Sequence, residues 1–335
     1  AIESIEEDLN GYTSNYGLLE LREKIAKKLA SENRLRLDPE KQVLITTGTS
    51  EALDLTFRAI LNPGEEVIVP EPSYVAYKPC VWFAHCKPKP AIMREENDFR
   101  IDTEELKKTI TKKTKAIVIA SPNNPTGSVL HRKDLEEIAD IVVEHNITAI
   151  SDELYEYLIY DDAKHYSIGS LNGMAERTIT INGFSKGYAF TGWRLGYAAG
   201  PIEIIEAMMK IHQYTMLSAP TVSQYAALAF DKSMKYVKTM VKEYDTRRRL
   251  LTKGLNSING VSCKLPKGAF YVFPNITETS LSSEAFSQMM LDEAKVAVVP
   301  GNTFGESGEG YVRCSYSVSL ETIREALERM EKLKT

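Results

Sequence analysis

Short apolar runs rich in β-branched residues recur from residue 43 to 200: VLITT (43–47), EVIVP (66–70), AIVIA (116–120), ITAIS (147–151), TITIN (178–182) and RLGYAA (194–199). Nearly every position in them is apolar, which suits strands covered on both faces. Longer stretches with helical spacing separate them, among them 51–61, 73–84 and 131–146. Ser50 stands where it can cap the first of these, and Asp134 falls in the first turn of the last. The alternation predicts an α/β fold with a mostly parallel sheet and flanking helices.

After residue 228 the rhythm changes. A long charged helical stretch (231–256) leads to short strands (269–273, 296–299, 311–315) and a closing helix (319–334), the pattern of a smaller α+β domain. The expected division is a large domain over 1–228 and a small one over 229–335.

Composition narrows the function without choosing it. The 335 residues are 43% apolar, enough for a sizeable core. Lys and Arg total 41 against 46 Asp and Glu, a formal charge of -5, so neither nucleic acid nor an anionic membrane surface is expected as a partner. No apolar run is long enough to span a bilayer, and AIESIEEDLN is no leader peptide, which points to the cytoplasm. Cys80, Cys86, Cys263 and Cys314 form no CxxC pair and read as buried reduced thiols. His85 beside Cys86 lacks a second ligand pair, so no metal is expected.

Ligands of parallel α/β sheets lie beyond the carboxyl ends of the strands. VLITT runs into Gly48-Thr49-Ser50 and a helix, an arrangement that offers backbone N–H groups and hydroxyls to a phosphate. AIVIA runs into SPNNPTG, a turn-rich loop carrying Asn123 and Asn124. ITAIS runs into Asp152 and then Tyr155, and a carboxylate at a buried strand end calls for a cationic partner. TITIN is followed by Lys186 and Arg194, and a lysine so placed gains nucleophilicity through desolvation. Each has an ordinary structural explanation alone. Together they suit a phosphorylated aromatic cofactor that carries an aldehyde.

The motifs SPNNPTG, SDELYEYLIYD, NGFSKGYAFTGWRLGY, KGAFYVFP and GYVRCSYS resemble those of the class I/II pyridoxal-phosphate aminotransferases of fold type I, in particular the archaeal and bacterial aspartate and aromatic enzymes. The resemblance extends from GYTSNYGLLELR to the last helix. It implies that Lys186 is the Schiff-base lysine and then the base at the substrate Cα, that Asp152 pairs with the pyridine nitrogen, and that Tyr155 and Asn124 contact the ring oxygen. It implies phosphate contacts from Arg194 and Gly48-Thr49-Ser50, stacking by Tyr74, and an α-carboxylate clamp by Arg313. Tyr12, in GYTSNYG, matches a tyrosine that reaches the neighbouring subunit's phosphate, which implies a homodimer.

Two departures stand out. Gly183 occupies a position where many relatives carry a phosphate-binding serine. The family's N-terminal arm precedes GYTSNYG, and since this sequence starts at Ala1 the arm is expected to be missing or disordered.

The expected reaction moves an amino group from an L-amino acid, aspartate or aromatic, to a 2-oxo acid such as 2-oxoglutarate, in ping-pong fashion. A cysteine-conjugate lyase acting by β-elimination is the alternative. Gly183-Phe184-Ser185-Lys186-Gly187 also matches the G-x-S-x-G elbow of α/β-hydrolases, but only His212 follows Ser185 to complete a triad. Ligand-sensing domains of the same fold carry a DNA-binding extension, and no extra basic domain is present here.

Overall fold

The computed structural model describes residues 1–333. Seven strands form the main sheet: β1 (Val43–Thr46), β2 (Glu66–Glu71), β3 (Lys87–Ile92), β4 (Thr114–Ala120), β5 (Thr148–Asp152), β6 (Thr178–Gly183) and β7 (Gly196–Ala199). Their order is β1-β7-β6-β5-β4-β2-β3. Five neighbouring strands from β6 to β3 run parallel, while β7 lies antiparallel to both β6 and β1. Two reversals bring β1 back into the common direction, so its carboxyl end shares an edge with those of β2, β4, β5 and β6.

Both faces of this sheet are buried. Val67, Val69 and Val118 pack into one core cluster, and their neighbours Ile68, Ile117 and Ile119 into the other. That two-residue alternation within all-apolar strands is what a sheet between helical layers requires. The predicted strands lie within one to three residues of those observed. The helices start differently: Gly48–Ile60 begins at Gly48, so Ser50 sits inside its first turn and does not cap it. The helix expected from residue 73 begins at Tyr77. Helix Arg132–Glu144 keeps its expected first-turn carboxylate, with Asp134 Oδ2 accepting from the His131 N–H at 2.8 Å.

A second antiparallel sheet, in the order β8-β10-β9, is built from β8 (Tyr271–Val272), β9 (Val299–Pro300) and β10 (Val312–Ser315). Helices Met234–Leu255 and Leu320–Glu331 accompany it. Position 334, the end of the predicted last helix, lies outside the described residues. The core beneath this sheet gathers Leu251, Phe270, Val272, Phe286 and Tyr316. It also takes in Tyr155, Leu158 and Tyr160 from the segment after β5. The chain beyond β5 therefore ties the two sheets together and aligns the cleft between them. No helix of the described residues is long and apolar enough to cross a membrane.

Candidate active site

A cavity of about 570 Å³ opens at the carboxyl edge of the main sheet, walled on its far side by the small sheet. Thr49, Ser50, Tyr74, Asn124, Asp152, Tyr155, Lys186, Arg194 and Arg313 all line it. Residues from five strand ends and from β10 thus meet in one space. Gly48 is not among the lining residues, but a Cβ on it would meet Arg194, which is. Tyr12 does not line it, and is 84% exposed.

The cradle at β1 is shaped by backbone constraints. Gly48 has φ +76°, and a Cβ built on it would fall on the Arg194 guanidinium. Only glycine lets the guanidinium approach this helix start. Arg194 also adopts left-handed backbone, φ 52°, and donates from Nη1 to the Thr191 carbonyl at 3.0 Å. A helix N-terminus, two hydroxyls and a guanidinium thus face the same end of the cavity, a set suited to phosphate. Gly183 is also closed in: a Cβ there would lie 2.9 Å from Gly196 Cα and 3.1 Å from Thr49 Cγ2. With β7 packed this closely, any side chain at this position would force the β6–β7 backbone to shift.

Lys186 lies three residues past β6, partly buried, with Nζ 5.5 Å from the Phe270 ring centroid. Burial, reinforced by the positive charges of Arg194 and Arg313, holds its amine below the ordinary 10.5. Asp152, the last residue of β5, accepts from Tyr77 Oη at 2.7 Å and from the Leu154 N–H at 3.2 Å. Burial raises its carboxyl above the ordinary 3.8 despite those donors, because none of them carries a positive charge. The site is therefore matched to a cation beside Asp152. On β10, Arg313 donates from Nη1 to Asn124 Oδ1 at 3.0 Å and lies 4.5 Å from the Tyr271 ring and 4.8 Å from the Phe304 ring. Its Nε is buried without a hydrogen-bond partner among the described residues. A guanidinium left with an unused buried donor is prepared to receive an anion.

Three neighbours were not singled out by motif reading. Tyr77 donates to Asp152, Tyr271 shares a 3.1 Å contact with the Tyr155 hydroxyl, and Phe304 faces Arg313. KGAFYVFP contains Tyr271, and EPSYVAY places Tyr77 one helical turn after Tyr74, so the spacing carried a hint. Burial, and then the Tyr271 hydroxyl beside it, hold Tyr155 well above the usual phenol range, keeping its hydroxyl protonated at neutral pH. Ser185 lines the cavity, but none of the lining residues is a histidine, so the G-x-S-x-G match lacks a base.

Behind Asp152 lies a buried polar network that periodicity does not reveal. Lys28 pairs with Glu156, and Asn33 Nδ2 bonds Glu153 and Glu156 at 3.0 Å each. His165 Nε2 meets Glu153 at 3.1 Å, and Asn182, beside Gly183, reaches Glu156 at 2.7 Å. Glu153, Glu156 and His165 hold ligand atoms within 4.8 Å of one another, a spacing a metal could use. Lys28 and Asn33 already take up these carboxylates, and the network reads as a brace under the β5 and β6 ends. All four cysteines are buried and free.

Residues 1–330 match the family described as aminotransferase class I and II, whose members depend on pyridoxal phosphate. The aspartate aminotransferase of Pyrococcus abyssi is 53% identical, with 99% of this chain and 86% of that protein covered. The aromatic-amino-acid aminotransferase 2 of Thermococcus litoralis is 48% identical over the same shares, 99% and 86%. Among solved structures, the aromatic aminotransferase from Pyrococcus horikoshii superposes with a TM-score of 0.97 at 52% identity, covering 98% of this chain and 89% of that one. The Thermus thermophilus aspartate aminotransferase with maleate gives a TM-score of 0.94 at 39% identity, covering 98% and 85%. With sequence and fold agreeing along nearly its whole length, this chain belongs to the class I and II aminotransferases.

Proposed function

We propose that this chain transfers the amino group of an L-amino acid, aspartate or an aromatic one, to a 2-oxo acid such as 2-oxoglutarate, with pyridoxal phosphate bound in the cavity. The observation that carries this reading is the convergence of Lys186, Asp152, Asn124, Arg194 and Arg313 on one space. Arg194 and the Gly48-Thr49-Ser50 helix start would hold the phosphate. Asp152 would hold the ring nitrogen, Tyr155 and Asn124 the ring oxygen, and Tyr74 the ring face. When bound, the cofactor supplies an electron sink for the charge left as the Cα proton departs.

The protein's own groups do the rest. Lys186 would hold the cofactor and then serve as the base, taking the Cα proton on its Nζ and giving it up two bonds away, past the amino nitrogen. Burial and two neighbouring guanidinium groups hold its amine below the ordinary lysine value, the direction a base requires. Arg313 orients the substrate through its α-carboxylate, which fixes the Cα–H near Lys186. Asp152 would keep its charge through pairing with a cation, a partner it does not have among the described residues. Tyr12, far out on the surface, is assigned to the neighbouring subunit's phosphate, so the working unit is a homodimer, and the free thiols suit the cytoplasm.

The test is an amino-donor panel with 2-oxoglutarate, read as glutamate formed. Aspartate or an aromatic amino acid is expected to lead. Release of pyruvate from a cysteine conjugate without glutamate would place the enzyme among the lyases instead.

A further inference from the structure

Among the described residues, the buried Tyr77 hydroxyl has one partner. The residue is 2% exposed, and its Oη donates to Asp152 Oδ2 at 2.7 Å. Burying a phenol hydroxyl is costly unless the hydrogen bond it makes repays the desolvation, and phenylalanine would pack the same space without that cost. The ring does a second job. It meets the Tyr74 ring edge-on, with centroids 5.6 Å apart and planes at 84°, and the Tyr77 N–H bonds the Tyr74 carbonyl at 3.2 Å. One side chain therefore touches both the aromatic ring assigned to the cofactor face and the carboxylate assigned to the cofactor nitrogen.

We infer that Tyr77 is a positioning residue: by holding Oδ2 of Asp152 it fixes the carboxylate's rotation and leaves the proton shared with the cofactor on the ring nitrogen. The inference rests on the reading of Asp152 given above and deepens it. A carboxylate that accepts a strong hydrogen bond is a weaker base, so a proton between it and a pyridine stays with the pyridine. The protonated ring is the form that accepts charge from Cα. Tyr77 is suited to the task because burial and the Asp152 charge hold its phenol well above the usual range, so it remains a donor throughout the working pH range. The other groups facing Asp152 do not substitute for it. The Leu154 N–H reaches Oδ1, and the neighbouring Glu153 acts in the opposite sense by its charge. Tyr155 hydrogen-bonds Tyr271.

The experiment loads the full-length protein with pyridoxal phosphate labelled with ¹⁵N in the ring and reads the nitrogen's chemical shift, alongside kcat and KM for the amino donor. Tyr77→Phe keeps the ring packing and is expected to move the shift toward that of unprotonated pyridine. It should lower kcat about tenfold, the weight of one hydrogen bond to a charged group, with KM changed less than about twofold. Replacing Tyr77 with a ring-fluorinated tyrosine, a stronger donor that keeps the hydroxyl and the fold, should move the shift the other way and is decisive even where Tyr77→Phe folds poorly. A nitrogen shift unaltered by both changes overturns the inference. Failure of the unmodified protein to take up the cofactor would instead defeat the functional reading beneath it.

Discussion

Arg313 on β10 and Asn124 beyond β4 are joined by a 3.0 Å hydrogen bond across the cleft between the two sheets. The contact spans 189 positions of sequence, and it holds a guanidinium that lines the cavity and lies 4.5 Å from the Tyr271 ring and 4.8 Å from the Phe304 ring. Arg313→Ala should raise the KM for the amino donor about a hundredfold, since a bidentate pair to the α-carboxylate is lost. Arg313→Lys should recover only part of this, because an ammonium lacks the planar fork. The visible absorbance of the bound cofactor is the control, and it should be unchanged in both variants.

Gly48→Ala tests the phosphate cradle. The added methyl would meet the Arg194 guanidinium, and φ +76° penalises any side chain. The expected result is a fall in cofactor affinity of at least about tenfold with little loss of amino-acid affinity at saturating cofactor. Equilibrium titration of the cofactor-free protein measures it. Gly64, whose added Cβ would meet nothing within 4 Å at a similar positive φ, is the control for backbone strain alone.

The network behind Asp152 predicts a pH dependence of stability. Burial opposes the charged form of His165, but the Glu153 charge and hydrogen bond outweigh it and leave the imidazole above the ordinary 6.5. Burial likewise opposes Glu153, and the His165 charge with bonds from His165, Ser167 and Ser151 leaves it below the ordinary 4.5. A raised histidine stabilises in full below its unfolded value and loses this as pH rises through the folded one. A lowered carboxylate stabilises above its unfolded value and loses this as pH falls. The pair therefore contributes most between about 4.5 and 6.5. Urea unfolding of the unmodified protein and of His165→Gln should differ most in that window, and the gap should narrow toward pH 9.

The main sheet is readable because its strands are apolar at almost every position, a pattern that only burial on both faces explains. β3 is not readable, since KPKPAI carries two lysines and two prolines and lies at the sheet edge, where unpaired backbone and exposed side chains tolerate them. The strands β8 and β9 span two residues each, shorter than the expected 269–273 and 296–299, because an apolar run marks a strand without fixing how much of it pairs. At the site, the charged and amide residues at strand ends could be found because such groups are unusual there. Tyr77 and Tyr271 are no more than hinted at by motif and spacing, since a tyrosine near apolar neighbours reads as core until its hydroxyl partner is known. The brace of Lys28, Asn33, Glu153, Glu156 and His165 joins positions more than a hundred residues apart, and no local pattern announces such pairs.

The most direct test is to load the protein with pyridoxal phosphate, reduce it with borohydride, and map the modified peptide by mass spectrometry. One cofactor per chain on Lys186 is expected, with Lys186→Ala unlabelled and at least about a thousandfold less active in transamination. Labelling on another lysine, or undiminished activity in Lys186→Ala, would contradict the assignment of this cavity as the catalytic centre.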